Sequence, residues 1–149
     1  MGRYTTISRR GRVDAGATEI LARVASTEGF TSINPHRTAD PKLVVTPNGP
    51  PAGVGSGFAF RGKDGTGTQT VSAVTDSAVA YDIDMGIMGR SQQRIVTVPR
   101  PAGGCDVEWS MTLDAGFNPM LRIFGLMADR VLGATLETGL RNLASATWR

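Results

Sequence analysis

The sequence contains a single cysteine, Cys105, and a single histidine, His36, among its 149 residues. One cysteine excludes an intramolecular disulfide, and this chain alone cannot build a zinc site from several thiolates. We therefore expect neither a metal nor a cofactor. Cys105 lies within a strand-like alternation of residues, which favours a small apolar core residue over a nucleophile.

Long apolar runs are also missing. No stretch approaches the roughly 18 consecutive apolar residues that are needed to span a bilayer. The polar N-terminal segment MGRYTTISRR lacks the apolar centre of a secretory signal. The sequence thus predicts a soluble cytoplasmic protein without a membrane span.

Positive charge is modest, with a formal net charge of +3 that is carried almost entirely by arginine. A nucleic-acid-binding surface would combine clustered basic residues with interleaved aromatic residues on one element. The dense basic group lies on the first predicted strand: Arg3, Arg9, Arg10 and Arg12. A solvated strand face explains this group equally well, so we expect no nucleic-acid partner.

What the sequence does contain is one long amphipathic segment, residues 118–147. At about 3.6 residues per turn, the segment makes roughly eight helical turns. One face of this helix collects its apolar and small residues: Leu121, Phe124, Gly125, Ala128, Val131, Leu132, Thr135, Leu136, Gly139, Leu140 and Leu143. This pattern predicts a long C-terminal helix that packs along one side.

Most of the chain before this helix is typical of strands separated by turns rich in Gly, Pro and Asp. We predict a first strand from Arg3 to Asp14, a short helix capped by Thr18, and a second helix over about 28–35. Six further strands follow at about 42–48, 55–62, 66–75, 78–86, 91–99 and 104–115. The order predicts one α+β domain over residues 1–149, with a curved seven-stranded antiparallel sheet around the C-terminal helix.

Two of these strands alternate clearly between apolar and polar residues, which predicts one buried and one solvated sheet face. The apolar positions are Val79, Tyr81, Ile83 and Met85 in one strand and Cys105, Val107, Trp109, Met111 and Leu113 in the other. The opposite positions carry carboxylates: Asp82, Asp84, Asp106, Glu108 and Asp114. An acid–base pair needs burial to separate its two pKa values, so these carboxylates indicate a solvated face.

Two glycine-rich stretches, residues 53–57 and 62–67, resemble phosphate-binding loops in composition. A phosphate loop requires a helix N-terminus after it, whereas strand-like sequence follows both stretches. We interpret them as turns. His36 lies in a proline-bounded loop near Asp40. The sequence is compatible with two roles for it: a loop residue without a chemical function, or a residue that transfers protons or orients a substrate.

The methionine and aromatic residues point to the inner sheet face and the long helix. Methionine adapts to irregular apolar space, so the group favours either a closed core or a core with an apolar cavity. If a cavity is present, we expect its lining to be Phe58, Phe60, Tyr81, Met85, Trp109, Met111, Phe124, Met127 and Val131.

In the order of its predicted elements, essentially the whole chain resembles the SRPBCC superfamily, the START-like or helix-grip proteins, and in particular its polyketide cyclase/dehydrase and lipid-transport branch. The residues that carry the resemblance are Val107-x-Trp109, Asp129-x-x-x-Gly133, Gly139-Leu140-x-x-Leu143, and a Gly53-x-Gly55-Ser56 turn before Phe58. In that branch the first helix begins with a proline-containing segment that includes a tryptophan. This chain has residues 15–21 at that place, without the proline and the tryptophan. The resemblance implies the helix-grip fold and a hydrophobic ligand cavity, and it implies no particular reaction.

We therefore expect a bacterial-type protein that binds a hydrophobic or aromatic, lipid- or polyketide-like small molecule between the sheet and the C-terminal helix. The first alternative is a metal-free cyclase or dehydratase in which Tyr81 or His36 moves protons. The second is an interaction module or homodimer that uses the apolar arc at Met120, Ile123 and Met127.

Overall fold

The computed structural model describes residues 4–63, 65–86, 89–114 and 119–148, with side chains described over 5–63, 65–86, 89–113 and 130–148. Within these ranges lie seven strands: β1 (Tyr4–Val13), β2 (Val44–Asn48), β3 (Gly57–Gly62), β4 (Gly65–Val74), β5 (Ala78–Asp84), β6 (Arg90–Pro99) and β7 (Cys105–Asp114). The same ranges contain four helices: α1 (Ala17–Val24), α2 (Thr27–Ile33), α3 (Pro35–Ala39) and α4 (Pro119–Ser145).

The described strands form one antiparallel sheet in the order β1-β7-β6-β5-β4-β3-β2. Strands β2 to β7 pair with their neighbours in sequence, and β1 pairs with β7 at the far side. Helices α1 to α3 follow β1, and α4 packs on β1 and β7. The predicted α+β helix-grip architecture is confirmed.

The helices after β1 differ in detail from the prediction. Gly16 and not Thr18 precedes α1, and the Glu19 carboxylate accepts the Gly16 N–H at 3.3 Å. Asn34 ends α2 but also caps α3, because its Oδ1 accepts the His36 N–H at 2.9 Å. Pro35 is the first residue of α3, a position where its missing N–H costs nothing. The Asn34-Pro35 pair therefore separates two helices, where only the end of one was predicted.

The second half of α4 supplies the apolar stripe that covers the sheet. Leu136, Leu140 and Leu143 are at most 5% exposed. Val131 is 47% exposed, so its predicted place on the stripe is wrong. At 100° per residue Val131 lies roughly 140° around the helix from Leu136, which turns it to solvent. Leu121, Phe124, Gly125 and Ala128 lie outside the described side chains.

Candidate functional site

The interior between the sheet and the helices is organised around Phe30 of α2, which is 3% exposed. Three aromatic side chains of the sheet surround its ring. Their ring centroids lie 5.3 Å (Tyr81), 5.8 Å (Trp109) and 6.0 Å (Phe58) from that of Phe30. The Tyr81 and Trp109 contacts are edge-to-face, the arrangement that ring quadrupoles favour. The predicted inner-face aromatics Phe58, Tyr81 and Trp109 thus do come together.

Tyr81 is 1% exposed, and its hydroxyl donates a hydrogen bond of 2.6 Å to the Val24 carbonyl oxygen in the last turn of α1. Burial raises the pKa of Tyr81 well above its ordinary value of 10.0, because the phenolate would be stripped of water. The phenol therefore stays protonated and fixes α1 to β5. The hydroxyl proton of Tyr81 is donated to a backbone carbonyl, that of Val24.

Trp109 of β7 is also fixed by a buried polar contact. Its indole Nε1–H donates to Oε1 of Gln93 in β6 at 2.9 Å. Trp109 is 1% and Gln93 4% exposed. The hydrogen bond satisfies the polar atom of the indole and leaves the two N–H groups of the Gln93 amide for other partners.

A small cavity lies where α2, α3 and α4 meet the sheet. Its volume is about 10 Å³, close to what one water molecule needs. Apolar side chains form most of its wall, and neutral polar groups from β4, β6 and α4 enter it. The lining residues are Phe30, Pro35, His36, Gln69, Gln93, Trp109, Met111, Thr135 and Leu136. We call this space the glutamine cavity.

A second cavity of about 10 Å³ lies on the other side of Phe30, beneath the junction of α1 and α2. Its walls include Phe58, Tyr81 and Val71, together with Gln69, which lines both cavities. The hydroxyl of Thr27 closes one side, because it contacts the Ser56 hydroxyl at 3.1 Å and donates to the Gly57 carbonyl at 3.0 Å.

The remaining predicted lining residues are spread over the fold. Phe60 and Met85 are half-buried, lie beside Gly67 of β4 and line neither cavity, although the Phe60 ring centroid is 6.3 Å from that of Phe58. Val131 faces solvent. Phe124 and Met127 lie outside the described side chains, so their place in the lining stays a prediction, as does the apolar arc at Met120 and Ile123.

His36 lies in the first turn of α3, where it is exposed and also lines the glutamine cavity. The carboxylate of nearby Asp40 is already occupied by hydrogen bonds from backbone N–H groups. The Asp40 carboxylate accepts the N–H of Lys42 at 3.2 Å and that of Lys63 at 3.0 Å. Of the two residues considered for proton transfer, the structure places His36 at the glutamine cavity and Tyr81 at the other.

Gln69, Gln93 and Thr135 line the glutamine cavity but were not predicted from the sequence as site residues. The signal for the glutamines is strand alternation, because Gln69 is in phase with buried Val71 and Gln93 with buried Ile95. Polar residues at inward positions are the informative exceptions to burial by hydrophobicity. The central position of Phe30 depends on how α2 packs against the sheet.

The solvated face carries the charges, as predicted. Arg9 is the exception, because it is in phase with buried Ile7 and pairs with Glu137 of α4 at 3.6 Å. On the solvated face, Arg10 pairs with Glu108 at 3.1 Å and Arg12 with Asp14 at 3.0 Å. Further pairs on this face join Arg100 to Asp106 and Arg90 to Asp84. The arginines of β1 therefore have carboxylate partners within the chain. Arg3 lies outside the described residues.

The two glycine-rich stretches form turns of the sheet, and Cys105 is a buried core residue. Residues 53–57 connect β2 to β3 and bind the first helices, with the Gly53 N–H donating to the Ala25 carbonyl at 2.9 Å. Gly62 and Gly65 pair across the β3–β4 hairpin. Both stretches lead into strands, which confirms their interpretation as turns. Cys105 is 1% exposed, and burial together with the Asp106 charge raises the pKa of its thiol.

Over the described residues, no cluster of three or more His, Cys, Asp or Glu side chains is arranged to hold a metal ion. Among the described helices, none is both long enough and apolar enough to cross a membrane.

An antiparallel sheet packed on a long C-terminal helix, with short helices α1 to α3 after the first strand and buried aromatic side chains between the sheet and the helices, defines a helix-grip protein. The sequence matches the family described as polyketide cyclase / dehydrase and lipid transport over residues 4–147. The chain belongs to this family. No protein of curated function matches the sequence.

Solved structures with the same fold share little sequence with the chain. Truncated norcoclaurine synthase from Thalictrum flavum is 17% identical at a TM-score of 0.64, with 97% of this chain and 96% of that chain covered. Protein CV1439 from Chromobacterium violaceum is 12% identical at a TM-score of 0.65, with 95% and 96% covered. The di-domain ARO/CYC BexL from the BE-7585A biosynthetic pathway is 14% identical at 0.64, and the match covers 99% of this chain and 52% of BexL. Likeness at these identities shows the fold alone.

Proposed function

We propose that this protein binds a hydrophobic or aromatic small molecule between the sheet and α4, with the glutamine cavity as the inner end of the binding site. The observation that supports this most is the wall of that cavity, which combines the rings of Phe30 and Trp109 with the neutral amides of Gln69 and Gln93. Ligand sites are typically apolar with a few polar groups that fix orientation. Membership of a cyclase and lipid-transport family supports the same class of ligand.

Apolar burial supplies most of the affinity in this proposal. Each 100 Å² of apolar ligand surface removed from water contributes about 2.5 kcal/mol, less the cost of ordering the ligand. The present volume of about 10 Å³ is too small for a ring system, so binding requires the wall to move. Helix α3 is the candidate element because it is only five residues long and supplies Pro35 and His36 to the wall.

Titration with the neutral fluorophore N-phenyl-1-naphthylamine tests the proposal. Thr135 of α4 is half-buried and lines the cavity, so Thr135→Phe should fill the site and raise the Kd at least about tenfold, or roughly 1.4 kcal/mol. Val131→Phe is the matched control, because Val131 lies on the same helix but faces solvent. Absence of binding to the wild type, or equal binding to both variants, would contradict the proposal.

A second candidate function is a cyclase or dehydratase that uses the same cavity. The observation that favours it is His36, which is exposed yet lines the cavity and so joins solvent to the interior. In this mechanism the cavity orients a polyketide-like chain and the His36 imidazole moves a proton. Tyr81 serves instead to hold α1, since its proton is donated to the Val24 carbonyl.

The enzymatic candidate is tested with a soluble β-ketothioester as a substrate mimic. His36→Ala should lower a pH-dependent turnover about 100-fold or more, whereas Arg37→Ala, at the exposed next residue, should retain it. Turnover that survives in His36→Ala would remove this histidine from the mechanism. The homodimer alternative rests on Met120, Ile123 and Met127 and stays a prediction, to be checked by sedimentation at high protein concentration.

A further inference from the structure

Two glutamine side chains lie on the inner face of the sheet, where the other residues are mainly aromatic or aliphatic. Gln69 of β4 is 6% exposed and Gln93 of β6 is 4% exposed. Both line the glutamine cavity. Glutamine is mostly a surface residue, and its amide needs hydrogen-bond partners when it is removed from water.

The orientation of the Gln93 amide follows from its partner. The indole N–H of Trp109 can only donate, so the atom that it contacts at 2.9 Å must be the carbonyl oxygen of Gln93. The Gln93 NH₂ group therefore points away from Trp109. Over the described residues it has no hydrogen-bond acceptor, and the adjacent open space is the cavity.

The Gln69 side chain makes no hydrogen bond within the described part of the chain, although it is more than nine-tenths buried. It lines both cavities around Phe30. The Gln69 amide atoms are not among the fully buried polar atoms without a partner, so they border open space that water or a ligand can reach. Because the amide bonds no other described group, the fold alone does not require a glutamine at this position.

We propose that Gln69 and Gln93 together bind a neutral carbonyl oxygen, of a ketone or quinone, at the buried end of the ligand. This assignment rests on the proposed ligand-binding function and specifies the chemistry of the ligand. A carbonyl oxygen has two lone pairs, so it can accept one N–H from each of the two glutamines that reach the cavity from β4 and β6. An entirely apolar ligand leaves both amides unsatisfied.

A carboxylate is a poor fit for the same position. The cavity wall contains no Lys or Arg among its described residues, and a buried carboxylate without a cation pays a large desolvation cost. His36 lines the cavity as well, but it is exposed, whereas Gln69 and Gln93 are buried. The inner end of the ligand is therefore neutral and accepts hydrogen bonds.

Tetralin and 1-tetralone provide the test, because the two molecules share a ring skeleton and differ by one carbonyl group. Each is used to displace N-phenyl-1-naphthylamine from the wild type, from Gln69→Leu and from Gln92→Leu. Gln92 is the matched control. It lies next to Gln93 in β6, but its side chain is exposed and its amide donates to the Asp82 carboxylate at 3.4 Å. The measured quantity is the ratio of the two dissociation constants in each protein.

We expect Gln69→Leu to reduce the preference for 1-tetralone at least about fivefold, the loss of roughly one hydrogen bond, while tetralin binds as well as before. The wild-type preference should persist in Gln92→Leu. Gln69→Leu should also unfold at the same temperature as the wild type or higher, because no protein hydrogen bond is lost.

The outcomes separate this assignment from the proposed function. If the fluorophore does not bind the wild type, the proposed function fails and the assignment fails with it. If the fluorophore binds but Gln69→Leu keeps the wild-type ratio, the assignment alone is overturned. A lower unfolding temperature for Gln69→Leu would overturn it too, because the amide would then serve folding through a buried water.

Discussion

Gly139 of α4 lies directly against the indole ring of Trp109 in β7. A Cβ atom at position 139 would lie 2.9 Å from Cη2 of Trp109 and closer still to Cζ3. The ring cannot move aside easily, because it is 1% exposed and its nitrogen is bonded to Gln93. The missing side chain of Gly139 thus sets how closely the helix approaches the sheet.

Gly139→Ala should destabilise the protein. Forcing a methyl group into this contact costs about 1–3 kcal/mol, against a gain of up to about 1 kcal/mol from the better helix propensity of alanine. The expected net loss of up to about 2 kcal/mol is measurable by urea denaturation followed through tryptophan fluorescence.

Gly133→Ala in the same helix is the control for this change. A Cβ at Gly133 meets the guanidinium of Arg9, the far end of a flexible side chain that can rotate. Gly133→Ala should therefore lower the unfolding free energy less than Gly139→Ala. Equal losses at the two positions would mean that contact with Trp109 is not the determining factor.

Tyr81→Phe should lower the unfolding free energy by about 1–2 kcal/mol at neutral pH, because the Val24 carbonyl loses its buried donor. The ring contact with Phe30 is retained. Thr6→Val, which removes one of two hydroxyls in an exposed 3.0 Å contact with Thr112, should change stability by less than about 0.5 kcal/mol.

The stabilisation by Tyr81 should also depend on pH. The pKa of its phenol is raised in the folded state above the ordinary value of 10.0, so the folded protein holds this proton more tightly than the unfolded chain. The contribution is fully present below about pH 10 and is lost as the pH rises toward the folded-state pKa. The stability difference between wild type and Tyr81→Phe should narrow above pH 10, and a constant difference would contradict this account.

Asn142→Ala should loosen α3. The Asn142 amide in α4 donates to the Ile33 carbonyl at 3.2 Å and to the Thr38 hydroxyl at 2.9 Å. Without these bonds we expect a loss of about 1 kcal/mol, faster amide exchange over α3, and faster binding of N-phenyl-1-naphthylamine. Arg141→Ala is the control, because Arg141 bonds only Thr138 of its own helix among the described contacts. Unchanged exchange in Asn142→Ala would show that α3 is held by other contacts.

The strands were predictable because the alternation of apolar and polar residues and the turn residues at their ends indicate the same structure. In β7, the alternation of Cys105, Val107, Trp109 and Met111 defines the buried face before any partner strand is known. The start of α3 was not predictable in this way. Asn34 and Pro35 are signals both for the end of one helix and for the start of another, and the packing of α3 against α4 decides between them.

The site was less predictable than the fold because it depends on contacts between distant residues. Alternation places Gln93 in phase with Ile95, but its hydrogen bond to Trp109 follows from the β6–β7 register, which sets Ile95 opposite Trp109. Tyr81 was correctly placed on the inner face, yet its partner Val24 is 57 residues away in sequence. Val131 was misplaced because one apolar face was assigned to the whole helix, whereas the buried face of its second half is centred on Leu136, Leu140 and Leu143.

The pairing of β1 with β7 has a consequence for how the protein folds. Thr6 and Thr112 meet across this pair at a sequence separation of 106 residues, so β1 joins the sheet only after β7 has been made. Contacts of such long range are associated with slow folding, on the millisecond-to-second scale, because the loop-closure entropy must be overcome first. During synthesis on the ribosome, the meander from β2 to β6 can assemble early, whereas β1 remains unpaired until β7 has been synthesised.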